Sequence, residues 1–115
     1  MVLGALSGLI AVAMAAYASH GVAPERAGLA MTGASLQAWH ALALLGAGLL
    51  AERRQGPLVP VAAGCFVVGS VAFCGGVYLR AIADVSVGLV TPLGGVVLLV
   101  GWGVLAAAAA LAPEK

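Results

Sequence analysis

From Gln55 to Leu79 the chain reads QGPLVPVAAGCFVVGSVAFCGGVYL, 25 residues without a charged side chain, bounded by Arg54 before and Arg80 after. Wound into an α-helix at ~1.5 Å per residue, this run exceeds the ~30 Å of a bilayer's hydrocarbon core, for which about 20 apolar residues suffice. Working outward, the nine charged residues of the chain (Glu25, Arg26, Glu52, Arg53, Arg54, Arg80, Asp84, Glu114 and Lys115) fall in four tight places. They leave three more uncharged stretches, Met1 to Pro24, Ala27 to Ala51 and Val85 to Pro113, of 24, 25 and 29 residues. Each is long enough to span. The division predicts an all-α integral membrane four-helix bundle with short turns, one membrane domain over residues 1–115.

The composition excludes the competing classes. Soluble domains are about one quarter charged, and a small chain has proportionately more surface to keep wet, whereas only 8% of these 115 residues are charged. The mean hydropathy is +1.16. A net charge of +1 without a basic run removes the electrostatic footprint that a nucleic-acid partner needs. The expected partner is the lipid bilayer.

Prolines mark the same boundaries independently. Pro24, Pro57, Pro60, Pro92 and Pro113 sit at or near the proposed ends, where a missing N–H and a fixed φ are tolerated, and none interrupts a helix centre. Thr91-Pro92 reads as an N-cap and first-turn pair. The expected spans are 2–21, 32–51, 58–80 and 91–112. The first has no Lys or Arg before Ser19 and a longer apolar run than a signal peptide, so a retained helix is expected rather than a cleaved leader. Four crossings put both termini and the middle loop on one side with Arg53, Arg54 and Lys115, leaving Arg26 and Arg80 opposite. Positive charge favours the cytoplasm, so both termini are expected there.

Helices in lipid associate by close packing, so small residues should mark their contact faces. Gly4, Gly8, Ala11, Ala15 and Ala18 form such a stripe in the first span, and Ala62, Cys65, Gly69, Ala72 and Gly76 in the third, with Arg80 continuing it. Gly94, Gly101 and Ala108 repeat every seven residues in the fourth. In the second, Gln37, His40, Ala41, Ala47, Gly48 and Ala51 share a side, and Leu42, Leu45 and Leu49 are expected to face acyl chains. The glycines fit no phosphate-binding loop pattern.

Polar groups at membrane depth are functional candidates by default, because lipid offers them no partner. At ~1.5 Å per residue from the side of the termini, His20 lies about 29 Å up its span, Arg80 about 33 Å, and His40 about 17 Å, with Gln37 roughly one turn above. The histidines are then offset by about 12 Å, far more than two Zn–N bonds of about 2 Å allow, so no shared metal is expected. His40 reads either as a neutral histidine bonded inside the bundle, through Gln37 or a carbonyl, or as a titratable or ligand-binding group beside a water path. His20 reads as an interfacial residue or as a member of a polar cluster with Gln37, Tyr78 and Arg80 near the far face. Arg80 either snorkels or points inward, with Asp84 four residues on as a rim partner. Cys65 and Cys74, about 13.5 Å apart along one helix, cannot bridge each other and read as apolar fillers. Tyr17, Trp39, Tyr78 and Trp102 read as interfacial or packing aromatics.

The runs AYASHG at Ala16–Gly21, LQAWHALALLG at Leu36–Gly46, FCGGVYLRA at Phe73–Ala81, and VTPLGG at Val90–Gly95 followed by Gly101-Trp102 resemble the domain-of-unknown-function 423 family. That family includes small bacterial inner-membrane proteins and the eukaryotic transmembrane protein 256. The resemblance covers nearly the whole chain and implies a compact multi-pass membrane protein, without implying an activity. Carried over by position, the motif residues are His20, Gln37, His40, Gly75, Tyr78, Thr91, Pro92, Gly94, Gly95 and Trp102. Ala16-Tyr17-Ala18-Ser19 stands where a GAFGA-like run is usual in the family.

The leading functional expectation is a structural or interaction unit acting through lipid, a membrane-protein partner or a homo-oligomer. The alternatives are a transporter or channel for a small solute, with Gln37, His40, Ser70 and Tyr78 along its path, and a haem- or metal-binding membrane protein using His20 and His40. No catalytic residue, cofactor or metal set is expected, because no nucleophile-and-base constellation or ligand spacing occurs.

Overall fold

The computed structural model describes Met1–Lys115 as four helices: α1 (Val2–His20), α2 (Pro24–Ala51), α3 (Leu58–Ala83) and α4 (Val90–Leu111). All four are long and apolar enough to cross a membrane. There is no sheet; one isolated bridge joins Arg54 and Glu114.

Three spans match the expected ones within a few residues, and α2 does not. It starts at Pro24 instead of Thr32. Proline is pre-organised for a first helical position, and Glu25 in the first turn meets the positive end of the helix dipole. Glu25 and Arg26 are therefore helical residues, and the 28 residues of α2 extend ~42 Å, beyond the hydrocarbon. α3 likewise continues past Arg80 and stops where Asp84 turns left-handed at φ 54°. Thr91 does not cap α4, which starts at Val90 after Leu89 and has no side-chain cap. Thr91 lies in the first turn instead, its hydroxyl occupying the space where a Cβ on Gly76 would stand.

α2 packs along α1 and α3, and α3 packs along α4. The Cα atoms span 49 × 26 × 16 Å, two helices thick in the thinnest direction. The loop between α2 and α3 is tied to the C-terminal tail: Arg54 Nη1 donates to the Ala112 carbonyl at 2.8 Å, Gln55 N–H to Pro113 O at 2.8 Å, and Lys115 N–H to Arg53 O at 3.0 Å. Met1 lies against Gly48 near the same end of α2. The helices thus run up and down, with both termini and the middle loop at one end, called here the terminal end.

Small residues make the contacts, as the stripes predict. Gly4, Ala11 and Ala18 of α1, Ala62, Gly69 and Gly76 of α3, and Gly94, Gly101 and Ala108 of α4 are all buried. At Gly94 the α3 backbone comes so near that a Cβ would stand 2.5 Å from the Phe73 nitrogen, so only glycine fits. Phe66 and Cys74 are the largest fully buried side chains. Leu42 and Leu49 face outward as expected, but Leu45 is half-buried. It stands on the same side of α2 as Ala41, where Gly4 lets α1 come close enough to cover it. Leu9, Val71, Leu99 and Leu111 are among the large apolar residues on the outside, a surface suited to acyl chains and not to water.

Candidate functional site

Gln37 and His40 lie one turn apart on one face of α2 near its middle, 8% and 4% exposed, and they reach different neighbours. On one side, the Tyr78 hydroxyl donates to Gln37 Oε1 at 2.6 Å and Gln37 Nε2 donates to Ser7 Oγ at 3.3 Å, joining α3, α2 and α1. Gly33, one turn before Gln37, makes room for the Tyr78 ring: a Cβ there would lie 2.8 Å from Tyr78 Cε1.

On the other side, His40 Nδ1 lies 2.6 Å from the Leu36 carbonyl, and Trp102 Nε1 donates to His40 Nε2 at 3.0 Å, joining α2 to α4. A carbonyl only accepts and an indole N–H only donates. The pair of bonds therefore specifies the neutral imidazole with its hydrogen on Nδ1. Phe66 of α3 completes the contact: its ring centroid is 5.1 Å from that of Trp102 and 5.7 Å from that of His40, in edge-on and tilted arrangements. Gly101 permits this, since a Cβ there would come 2.9 Å from the Phe66 ring. Together the two sets of bonds form a polar crossbeam touching all four helices. Interhelical hydrogen bonds in bilayers contribute about 0.6 kcal/mol each on average.

Of the expected cluster His20, Gln37, Tyr78 and Arg80, only Gln37 and Tyr78 come together. Arg80 shares the face of Gly76 but lies one turn beyond the Gly76–Thr91 contact, where α4 no longer covers α3. It is exposed and pairs with Asp84 at 3.1 Å, so it does not continue the buried stripe of α3 inward. His20 follows buried Ala18 by two residues, ~200° around α1, and stands exposed at its end. The histidines do not meet, and no group of three or more His, Cys, Asp or Glu side chains is placed to hold a metal ion. Cys65 and Cys74 are free. Among the motif residues, Thr91 and Pro92 form the first turn of α4, Gly94 and Gly95 receive Phe73, and Gly75 is half-buried with nothing within 4 Å of where a Cβ would stand. Ser70 is buried with its hydroxyl unpaired.

Ser7 and Phe66 are contributors the sequence did not single out, and Trp102 stands out there only as a motif and packing residue, without its bond to His40. Trp102 carried a signal: it lies ~15 Å from Ala112, close to the ~17 Å between His40 and Ala51, so depth alone pairs them. Ser7 carried none, because the register of α1 on α2 is set by interlocking, not by where the helices begin.

A family model described as "Protein of unknown function (DUF423)" matches residues 14–95. The chain is 32% identical over 115 residues to the UPF0382 membrane protein YwdK of Bacillus subtilis, covering 95% of this chain and 94% of that one. It is 32% identical over 110 residues to the UPF0382 inner membrane protein YgdD of Escherichia coli K12, covering 91% and 84%. A UPF0382 membrane protein of Staphylococcus epidermidis is 33% identical over 110 residues, covering 91% and 89%. No solved structure matches.

Proposed function

Because the chain belongs to the DUF423 family, whose relatives are named as membrane or inner membrane proteins, we propose that it is a structural and interaction unit of the bacterial inner membrane. It acts through lipid, a membrane-protein partner or further copies of itself, and it is not an enzyme. The observation that carries this reading is the state of His40: both ring nitrogens are engaged inside the bundle, by the Leu36 carbonyl and the Trp102 indole. A histidine so held has no free nitrogen for a general base or a metal. What remains for interaction is the apolar outside of the helices, above all α1 and α4, which are the least covered.

Orientation follows from charge. Arg53, Arg54 and Lys115 gather at the terminal end, against Arg26 and Arg80 at the far end, which favours both termini in the cytoplasm.

His40→Ala tests the reading. The variant should lose thermal stability in detergent and assemble poorly in membranes, while proteoliposome solute flux stays at the wild-type level. A stable, fully assembled variant that lost a measurable flux would refute it.

A further inference from the structure

α1 and α3 each pack along α2 but not along each other, which leaves a cleft between them floored by α2. Its terminal half, about 570 Å³, is lined by apolar side chains and glycines, Pro60 and Val68 among them. Its other half, about 450 Å³, adjoins the first at Leu3, Leu44 and Val67 and holds the cleft's polar side chains, Ser7, Gln37, Ser70, Cys74 and Tyr78. The cleft is therefore two-part: an apolar run, then a neutral polar end.

Ser70 gives the polar end its meaning. Ser7 and Tyr78 each bond Gln37, but Ser70 is 8% exposed and its hydroxyl has no partner. A hydroxyl in an apolar helix usually turns onto the carbonyl four residues back, and in this molecule Ser19 and Thr32 do so, at 3.1 and 3.0 Å. Ser70 forgoes that carbonyl in the wall of the cleft's neutral polar half. Left alone at this depth it is unfavourable, so the site is built for an oxygen that something else supplies.

Depth and charge narrow the supplier. Ser70 is the 13th of the 26 residues of α3, ~18 Å from either end. A phospholipid keeps its charged head and ester carbonyls at the interface, ~15 Å from the midplane, out of reach of Ser70. The lining of the polar half, where Ser70 stands, holds no charged group to attract an ion. What fits is a neutral molecule with an apolar tail and a carbonyl that resides within the hydrocarbon. We propose that the cleft binds a quinone-type lipophile, its ring carbonyl accepting a hydrogen bond from the Ser70 hydroxyl and its tail lying in the apolar half. The inference concerns binding alone and goes beyond the structural role, which stands or falls separately on His40.

Native mass spectrometry of the full chain released from detergent micelles, titrated with decylubiquinone and in parallel with phosphatidylethanolamine, tests it; thermal melts verify that each variant is folded. The wild type should retain one decylubiquinone per chain. Ser70→Ala should weaken it about fivefold, the worth of one neutral hydrogen bond. Gly75→Leu, which adds a side chain at the polar end where a Cβ meets no atom within 4 Å, should abolish it. Gly46→Leu, equally open but away from the cleft, should leave it unchanged. The proposal is overturned if the folded wild type takes up no quinone, if Ser70→Ala or Gly75→Leu binds it as the wild type does, or if phosphatidylethanolamine displaces it at equal concentration.

Discussion

The two flanks of α2 are finished differently. Toward α4, His40, Phe66 and Trp102 interlock, and both nitrogens of the one titratable group are bonded. Toward α1 and α3, the Ser7–Gln37–Tyr78 bonds cross beside a cleft whose wall holds the unpaired Ser70 hydroxyl. Polarity at membrane depth therefore has two meanings in one molecule. A polar side chain bonded on both sides ties helices together; one left unbonded beside open space is available to something that is not part of the chain.

The largest break in this contrast should come from the seam that positions α4. Gly94→Leu drives a side chain into the Phe73 backbone and should cost about 3 kcal/mol or more, read as loss of the folded bundle in detergent unfolding experiments. His40→Ala opens a cavity against two rings and should cost about 2–3 kcal/mol by the same measurement. Trp102→Phe keeps a ring but leaves His40 Nε2 without a donor, an expected loss of about 1–2 kcal/mol; a double-mutant cycle with His40→Ala should show coupling, and additive effects would contradict the bond. On the other flank the sign reverses. Ser70→Ala removes an unsatisfied hydroxyl and should leave stability unchanged or raise it by up to about 1 kcal/mol. A loss as large as that of Trp102→Phe would erase the distinction between the flanks.

Much of this was legible in the chain. The stripes Gly4–Ala18 and Gly94–Ala108 named the contact faces of α1 and α4 correctly, because close approach in lipid needs small side chains wherever it occurs. His40 and Gln37 stood out because any polar group at that depth must find a partner. Several partners were legible too, a carbonyl for His40, Tyr78 for Gln37 and Asp84 for Arg80, whereas Trp102 for His40 and Ser7 for Gln37 were not. Of the two readings of Arg80, the outward one with Asp84 as rim partner holds and the inward one fails, because Gly76, four residues back, faces α4 at Thr91 and Arg80 lies beyond that seam. The start of α2 is not marked by the end of charge, because Pro24 and Glu25 suit a first turn that projects past the hydrocarbon.

Sequence alone determined that this chain lives in lipid as four helices, since partition between water and hydrocarbon is a sum over residues that needs no knowledge of neighbours. The tertiary structure alone decided that Trp102 meets His40, that Ser7 meets Gln37 and that Ser70 meets nothing. Those outcomes depend on how rigid helices rotate and slide until glycine gaps receive bulky side chains, a condition that involves pairs of helices at once and is written in no single stretch.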